Sequence, residues 1–217
     1  MASKQPRPSI KGSALQAVID DLKRLRDAGR VPVAKIAAED RALLDEAISP
    51  ALWYPIESYG RLTALLLELD GGGRLDYLRA RGAKTAARLI ESGIYQQLER
   101  ATGEGVLDPS KLTPAEQRRE FGRVIRLVTS LSGSIFNFGR WSVGDDPDHS
   151  DRFRITIEDA RAMPEVAIHT IEGFINCIGE HSPHIVHLHW TGRRDTADTI
   201  VYVMDASVDA VYGRPGR

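Results

Sequence analysis

The densest run of chemistry-bearing side chains is His181-Ser182-Pro183-His184-Ile185-Val186-His187-Leu188-His189-Trp190. In an extended strand alternate side chains point the same way, so His187 and His189 share a face and two imidazoles can approach one metal ion. Val186, Leu188 and Trp190 then face the core. Zinc suits such ligands, but a structural zinc normally takes four, and the spacing supplies no third ligand unless His169 or Asp205 folds in. A sheet face with titrating histidines is the plainer reading, and zinc on His187 and His189 stands as the alternative.

Four other groups read more simply. Asp145, Asp146, Asp148, His149 and Asp151 bring oxygen ligands together, yet they lack the spaced acids, turn glycine and distal glutamate of a calcium loop. They predict a polar hairpin, since Asp and Pro favour turns. Cys177 precedes His181 by one helical turn, but its neighbours Phe174 and Ile178 make it a small buried hydrophobe rather than a nucleophile. Gly71-Gly72-Gly73 follows a helical pattern and is not succeeded by Gly-Lys-Ser/Thr, so it is a linker and not a phosphate loop. The pairs Arg118-Arg119 and Arg193-Arg194 lack interleaved aromatics and predict solvated faces, with no nucleic-acid partner.

The elements that would position these residues follow from periodicity. Leu15, Val18, Ile19, Leu22 and Leu25 repeat at helical spacing and Gly29 ends that helix. A second helix is expected over residues 33–48, stopped at Ser49-Pro50. Trp53-Tyr54-Pro55-Ile56 leads into a third helix through Leu69, and a long fourth helix contains Gly82, where a close helix contact would offset the weak helix propensity. Thr113-Pro114-Ala115-Glu116 is a helix start with cap, first-turn proline and capping-box glutamate.

After Gly133 the period changes from helical to alternating. Strands are expected over residues 135–143, 152–158, 185–191 and 199–204, with a helix opening at Pro164 between the second and third. Phe153, Ile155 and Ile157 take one face, and Arg154, Thr156 and Glu158 the other. Residues 192–195 are expected to join the last two strands. Gly173 and Cys177 give the intervening helix a slim stripe on which the sheet can approach.

The balance of 42% hydrophobic and 27% charged residues is that of a globular chain, and a net charge of -1 gives no global attraction for nucleic acid or an anionic surface. One cysteine excludes an intrachain disulfide framework and fits a cytoplasmic location. The longest apolar stretch, residues 62–69, is too short to span a bilayer, so no transmembrane segment is expected. The fold class expected is α+β, an N-terminal helical layer packed on a C-terminal four-stranded antiparallel sheet. Residues 1–12 form a disordered arm, 13–211 one domain and 212–217 a flexible tail.

The Trp53-Tyr54-Pro55 segment before a helix, and the closing strand-strand-helix-strand-strand unit with Gly173 in its helix, resemble an uncharacterised bacterial family. That family is similar in turn to the 4-vinyl reductase domain, the haem nitric-oxide-binding domain and the TRAPP vesicle-tethering subunits. The resemblance implies a ligand-binding fold with an internal apolar pocket and association through helices, hence a homodimer or a partner protein. The sequence lacks the proximal histidine and tyrosine-serine-arginine pattern of the haem proteins, so haem is not expected. It also has no cysteine after Cys177 to match the 4-vinyl reductase pattern. The function expected is non-enzymatic binding of a small apolar ligand or a partner protein. Trp53, Tyr54, Tyr59, Phe136, Phe138 and Trp141 are the candidate pocket walls. A metal-binding sensor or enzyme on His187 and His189 is the alternative.

Overall fold

The computed structural model describes residues 6–91, 112–181 and 189–211. The N-terminal part holds helices α1 (Gly12–Asp27), α2 (Ala38–Asp45), α3 (Ile56–Leu69) and α4 (Leu75–Glu91), with two short strands, β1 (Ser9–Lys11) and β2 (Trp53–Pro55). Helix α5 (Pro114–Gly133) follows, then β3 (Arg140–Asp145), β4 (Phe153–Glu158), α6 (Glu165–His181), β5 (Trp190–Thr196), β6 (Thr199–Met204) and the short α7 (Val208–Val211). The α+β class and the strand-strand-helix-strand-strand order are those expected. Strands β3 to β6 form one antiparallel sheet in the order β3-β4-β6-β5.

The alternation that predicted β4 is realised: Phe153, Ile155 and Ile157 are buried, while Arg154, Thr156 and Glu158 stay partly or fully in water. The covered face also takes Ile200, Tyr202 and Met204 from β6 and Trp190 from β5. Helix α6 packs against β5, α4 packs along α6, and α5 lies beside β3. Helix α5 begins with the capping box read from the sequence: Glu116 N donates to Thr113 Oγ1, and Thr113 N donates to the Glu116 carboxylate at 2.8 Å. Among the described residues no helix is long and apolar enough to cross a membrane.

Four boundaries differ from expectation. Ser9–Lys11, placed by the sequence in a disordered arm, forms β1 because Ile10 is buried and the segment pairs antiparallel with Trp53–Pro55. Asn137 also binds this segment, accepting from Ser9 N at 2.7 Å. The second helix is shorter, a 3-10 turn at Val33–Lys35 followed by α2. The first sheet strand starts at Arg140 rather than 135, since Phe136 bridges to Ile10 and Gly139, at φ 80°, turns the chain into the sheet. Finally, residues 192–195 are not a connection but part of β5, paired with β6 down to Thr196↔Thr199; residues 185–188 of the expected strand lie outside the described residues.

Candidate functional site

The aromatic residues proposed as pocket walls are not all in one place. Phe136 stacks on Trp141 with ring centroids 6.1 Å apart and meets Phe138 edge-on at 5.7 Å, a cluster between α5 and β3. Trp141 packs against Gly133, and its buried Nε1 has no hydrogen-bond partner. Trp53 is exposed on β2 beneath the Lys11 ammonium, and the Tyr54 hydroxyl accepts from Ser49 N at 2.9 Å. Tyr59 lies apart from the other five, on α3, as the floor of a cleft between α1 and α4.

That cleft has a volume of about 300 Å³. Its floor is the buried ring of Tyr59 with Thr170 of α6; Ala14, Ala17 and Val18 form the α1 wall. Helix α4 supplies the facing wall through Tyr77, Ala80, Arg81, Lys84, Thr85 and Arg88. The residues Leu78, Gly82, Ala86 and Ile90 bury one stripe of α4, which leaves Arg81, Lys84 and Arg88 together on another, at i, i+3 and i+7.

Electrostatics organise the inner half of the cleft. Arg81 pairs with Asp21 of α1, donates to the Ala17 carbonyl at 3.2 Å and lies 5.7 Å from the centre of the Tyr77 ring. Arg24 reaches Asp21 at 3.4 Å and Asp70 at 3.8 Å, and Tyr77 donates its hydroxyl to Asp70 at 3.2 Å. Burial disfavours the Asp21 carboxylate, but hydrogen bonds and charge from Arg81 and Arg24 outweigh it and hold its pKa below the ordinary value. Burial pushes the hydroxyls of Tyr59 and Tyr77 above their usual range, so both stay protonated donors.

The opposite side of α4 is locked to α6 through backbone. A Cβ at Gly82 would lie 1.8 Å from the Thr170 carbonyl, and one at Gly173 would lie 1.9 Å from the Arg79 carbonyl. The slim stripe read on α6 therefore admits a helix, not the sheet, because Gly173 turns toward α4. Beside this contact Arg79 pairs with the buried Glu172 carboxylate, whose other oxygen accepts from Gly192 N of β5 at 3.1 Å. Helix α4 thus connects the cleft to the edge of the sheet.

The metal candidates are only partly visible. His187 and His184 lie outside the described residues, while His189 is exposed, donating its backbone N–H to Asp205 Oδ1 at 3.0 Å. Among the described residues no three His, Cys, Asp or Glu side chains converge to hold a metal ion. The acidic run is a polar hairpin: Asp146 accepts from Asp148 N at 2.8 Å and from Arg154 at 3.2 Å. Cys177 is half-buried, and burial together with the Glu180 charge raises its thiol pKa, the opposite of an activated nucleophile.

No protein-family model matches the sequence, and no curated protein matches it. Solved structures do match the fold. A Cs H-NOX mutant carrying 4-cyano-L-phenylalanine aligns with TM-score 0.50 and 12% identity over 92% of this chain and 98% of its own. A point mutant of T. Tengcongensis H-NOX aligns with TM-score 0.50 and 12% identity over 92% and 100%. A third, from work on the function of heme distortion in the H-NOX family, reaches TM-score 0.47 at 13% identity over 91% and 96%. Of the folds named by the resemblance, the H-NOX fold is the one these structures support.

This finding overturns the expectation that set haem aside: it was argued from a missing motif, and the solved structures that share the fold are H-NOX domains. Neither the α1–α4 cleft nor a second one between α2 and α3, lined by Lys35, Asp40, Arg61 and Glu68 among others, is lined by a histidine or cysteine. The buried, unpartnered Nδ1 of His169 faces Glu172 at 3.6 Å and lines neither cleft. Haem iron therefore finds no histidine or cysteine ligand in either cleft.

The sequence did not single out Arg81, Lys84, Arg88 or Asp21. A signal for the first three exists in the spacing of basic residues along α4. The Arg81–Asp21 pair joins positions 60 apart and leaves no local trace.

Proposed function

We propose that the chain is a non-enzymatic small-ligand-binding domain whose site is the cleft between α1 and α4. The observation that carries this reading is the cleft itself: about 300 Å³, at the lower end of small-molecule sites, with ring and methyl surfaces below and polar groups converging from one wall. Binding is favoured over catalysis because the groups inside it are already committed to one another. Arg81 is held by Asp21, and Tyr77 by Asp70. The similarity to H-NOX domains supports a ligand-binding role at the level of fold and brings no particular ligand.

The orphaned Trp141 Nε1 favours a second reading, in which the ligand meets the Phe136, Phe138 and Trp141 cluster beside α5. Amide NMR with a set of small aromatic fragments separates the two. The proposed site predicts shifts at Ala17, Tyr59, Arg81 and Thr85. Shifts confined to Phe136, Phe138 and Trp141 transfer the function to the second site, and an absence of shifts at both ends the ligand-binding reading.

A further inference from the structure

The α1–α4 cleft is lined by four cations, Arg24, Arg81, Lys84 and Arg88, and three carboxylates, Asp20, Asp21 and Asp70. Their pairing is uneven. Asp21 takes Arg81 and Arg24, and Asp70 takes Arg24 and Arg30. Lys84 and Arg88 have no ion pair or hydrogen bond among the described residues, although they sit one turn apart on the same wall. Like charges at i,i+4 on a helix repel, so this wall is set in a way that an anion would relieve. Between them Thr85 presents a hydroxyl, which donates to the Arg81 carbonyl at 3.1 Å when no ligand competes for it.

The facing wall sets the direction of approach. Asp20 of α1 accepts from Gln16 at 2.7 Å, a neutral partner that leaves its charge in place. An anionic group is therefore repelled from α1 and drawn to α4. Apart from Thr170, the rest of the lining is apolar or aromatic, with Ala14, Ala17, Val18 and Ala80 beside the rings of Tyr59 and Tyr77. Two unpaired positive charges at the mouth and an oily floor describe a ligand with a divalent head and an organic body.

We propose that the cleft binds a phosphate monoester, with Lys84 and Arg88 holding the dianion, Thr85 donating to it, and the organic part lying over Tyr59 and Tyr77. This rests on the reading of the cleft as the binding site and names its ligand class. Arg81 fixes the wall in place through Asp21 and does not itself need to meet the phosphate.

The test is calorimetry on the full chain with phenyl phosphate, inorganic phosphate and phenol, accompanied by amide NMR. Phenyl phosphate is expected to bind more tightly than either fragment and to shift Tyr59 and Thr85. Lys84→Gln with Arg88→Gln is expected to weaken it at least about tenfold while leaving phenol unchanged, since the variant removes the charge-assisted hydrogen bonds to the phosphate. Both side chains are exposed, and circular dichroism of the variant is the check that it folds. Equal binding of phenol and phenyl phosphate in the cleft, or an unaffected double variant, overturns the phosphate assignment and leaves the cleft standing as a site. Failure of all three to shift the cleft residues, with other fragments shifting only the Trp141 cluster, overturns the site reading itself. Co-sedimentation with phosphatidic-acid vesicles but no binding of soluble phenyl phosphate would assign the monoester to a lipid headgroup.

Discussion

The two sides of α4 differ in what they bring to their neighbours. Toward α6 the helix offers Gly82 and meets Gly173, so that at these two positions backbone lies against backbone. Toward α1 it offers long cations, and the space between the helices stays open over Tyr59. Close-packed backbone holds geometry stiffly, whereas long charged side chains reorient at little expense. One helix can therefore be anchored to the sheet through Glu172 on one side and adapt to a ligand on the other. A cleft built on a fixed wall is also better preorganised than one between two mobile helices.

The comparison is broken most severely at Gly173. Gly173→Ala places a methyl group into the Arg79 backbone and is expected to destabilise the protein by about 3 kcal/mol or more. Gly144→Ala, where a Cβ meets nothing within 4 Å, is the control and should change stability by less than about 0.5 kcal/mol. Urea denaturation measures both, and a mild effect at Gly173 would show that the interface gives way.

Glu172→Gln is the next largest. It takes the buried carboxylate from Arg79, which keeps Asp76 at 2.7 Å and has about a third of its side chain in water, so the expected loss is about 2 kcal/mol, below that of a fully buried pair. Amide exchange should rise at Gly192 in this variant, because its N–H loses a charged acceptor. Unchanged exchange there would separate α4 from the sheet edge.

Acid should act through the carboxylates that arginines hold. Asp21, Asp40 and Asp146 are all held below the ordinary carboxylate value of 3.8: burial opposes the charge in each, and arginines outweigh it, Arg81 and Arg24 at Asp21, Arg61 at Asp40, and Arg154 with the Asp148 N–H at Asp146. A depressed folded-state pKa contributes stability that is complete above the unfolded value and is lost as pH falls through the folded one. Stability should therefore fall below about pH 4. Asp40→Asn should flatten that fall; an unaltered acid limb would remove the Arg61–Asp40 pair from the explanation. The smallest stability effect belongs to Lys84→Gln with Arg88→Gln, within about 0.5 kcal/mol of wild type by thermal denaturation.

Much of the framework was legible. Phe153, Ile155 and Ile157 alternate too regularly for a helix, and Thr113-Pro114-Ala115-Glu116 carries its cap in four consecutive residues. Gly82 was read as a place for close helix contact, and its partner proved to be α6. Strand β1 was not legible: three residues after a proline-containing segment show no period, and their pairing partner, Trp53–Pro55, is remote in sequence. Residues 192–195 looked like a turn by composition, but pairing with β6 continues past them. Of the site, Tyr59 was named for its ring alone, without its neighbours. The cleft depends on Asp21, Tyr59, Arg81 and Thr170 arriving from four helices, and such convergence is written in tertiary packing rather than in local spacing. The set-aside of haem failed for a related reason, since it weighed a motif and could not weigh a fold.

A crystal structure of the full chain with phenyl phosphate tests the account most directly. Density is expected between α1 and α4, with the phosphate within hydrogen-bond distance of Lys84 and Arg88, the ring over Tyr59, and the Gly82 and Gly173 contacts unmoved. Density between α5 and the sheet beside Trp141, with the α1–α4 cleft holding only solvent, would contradict it.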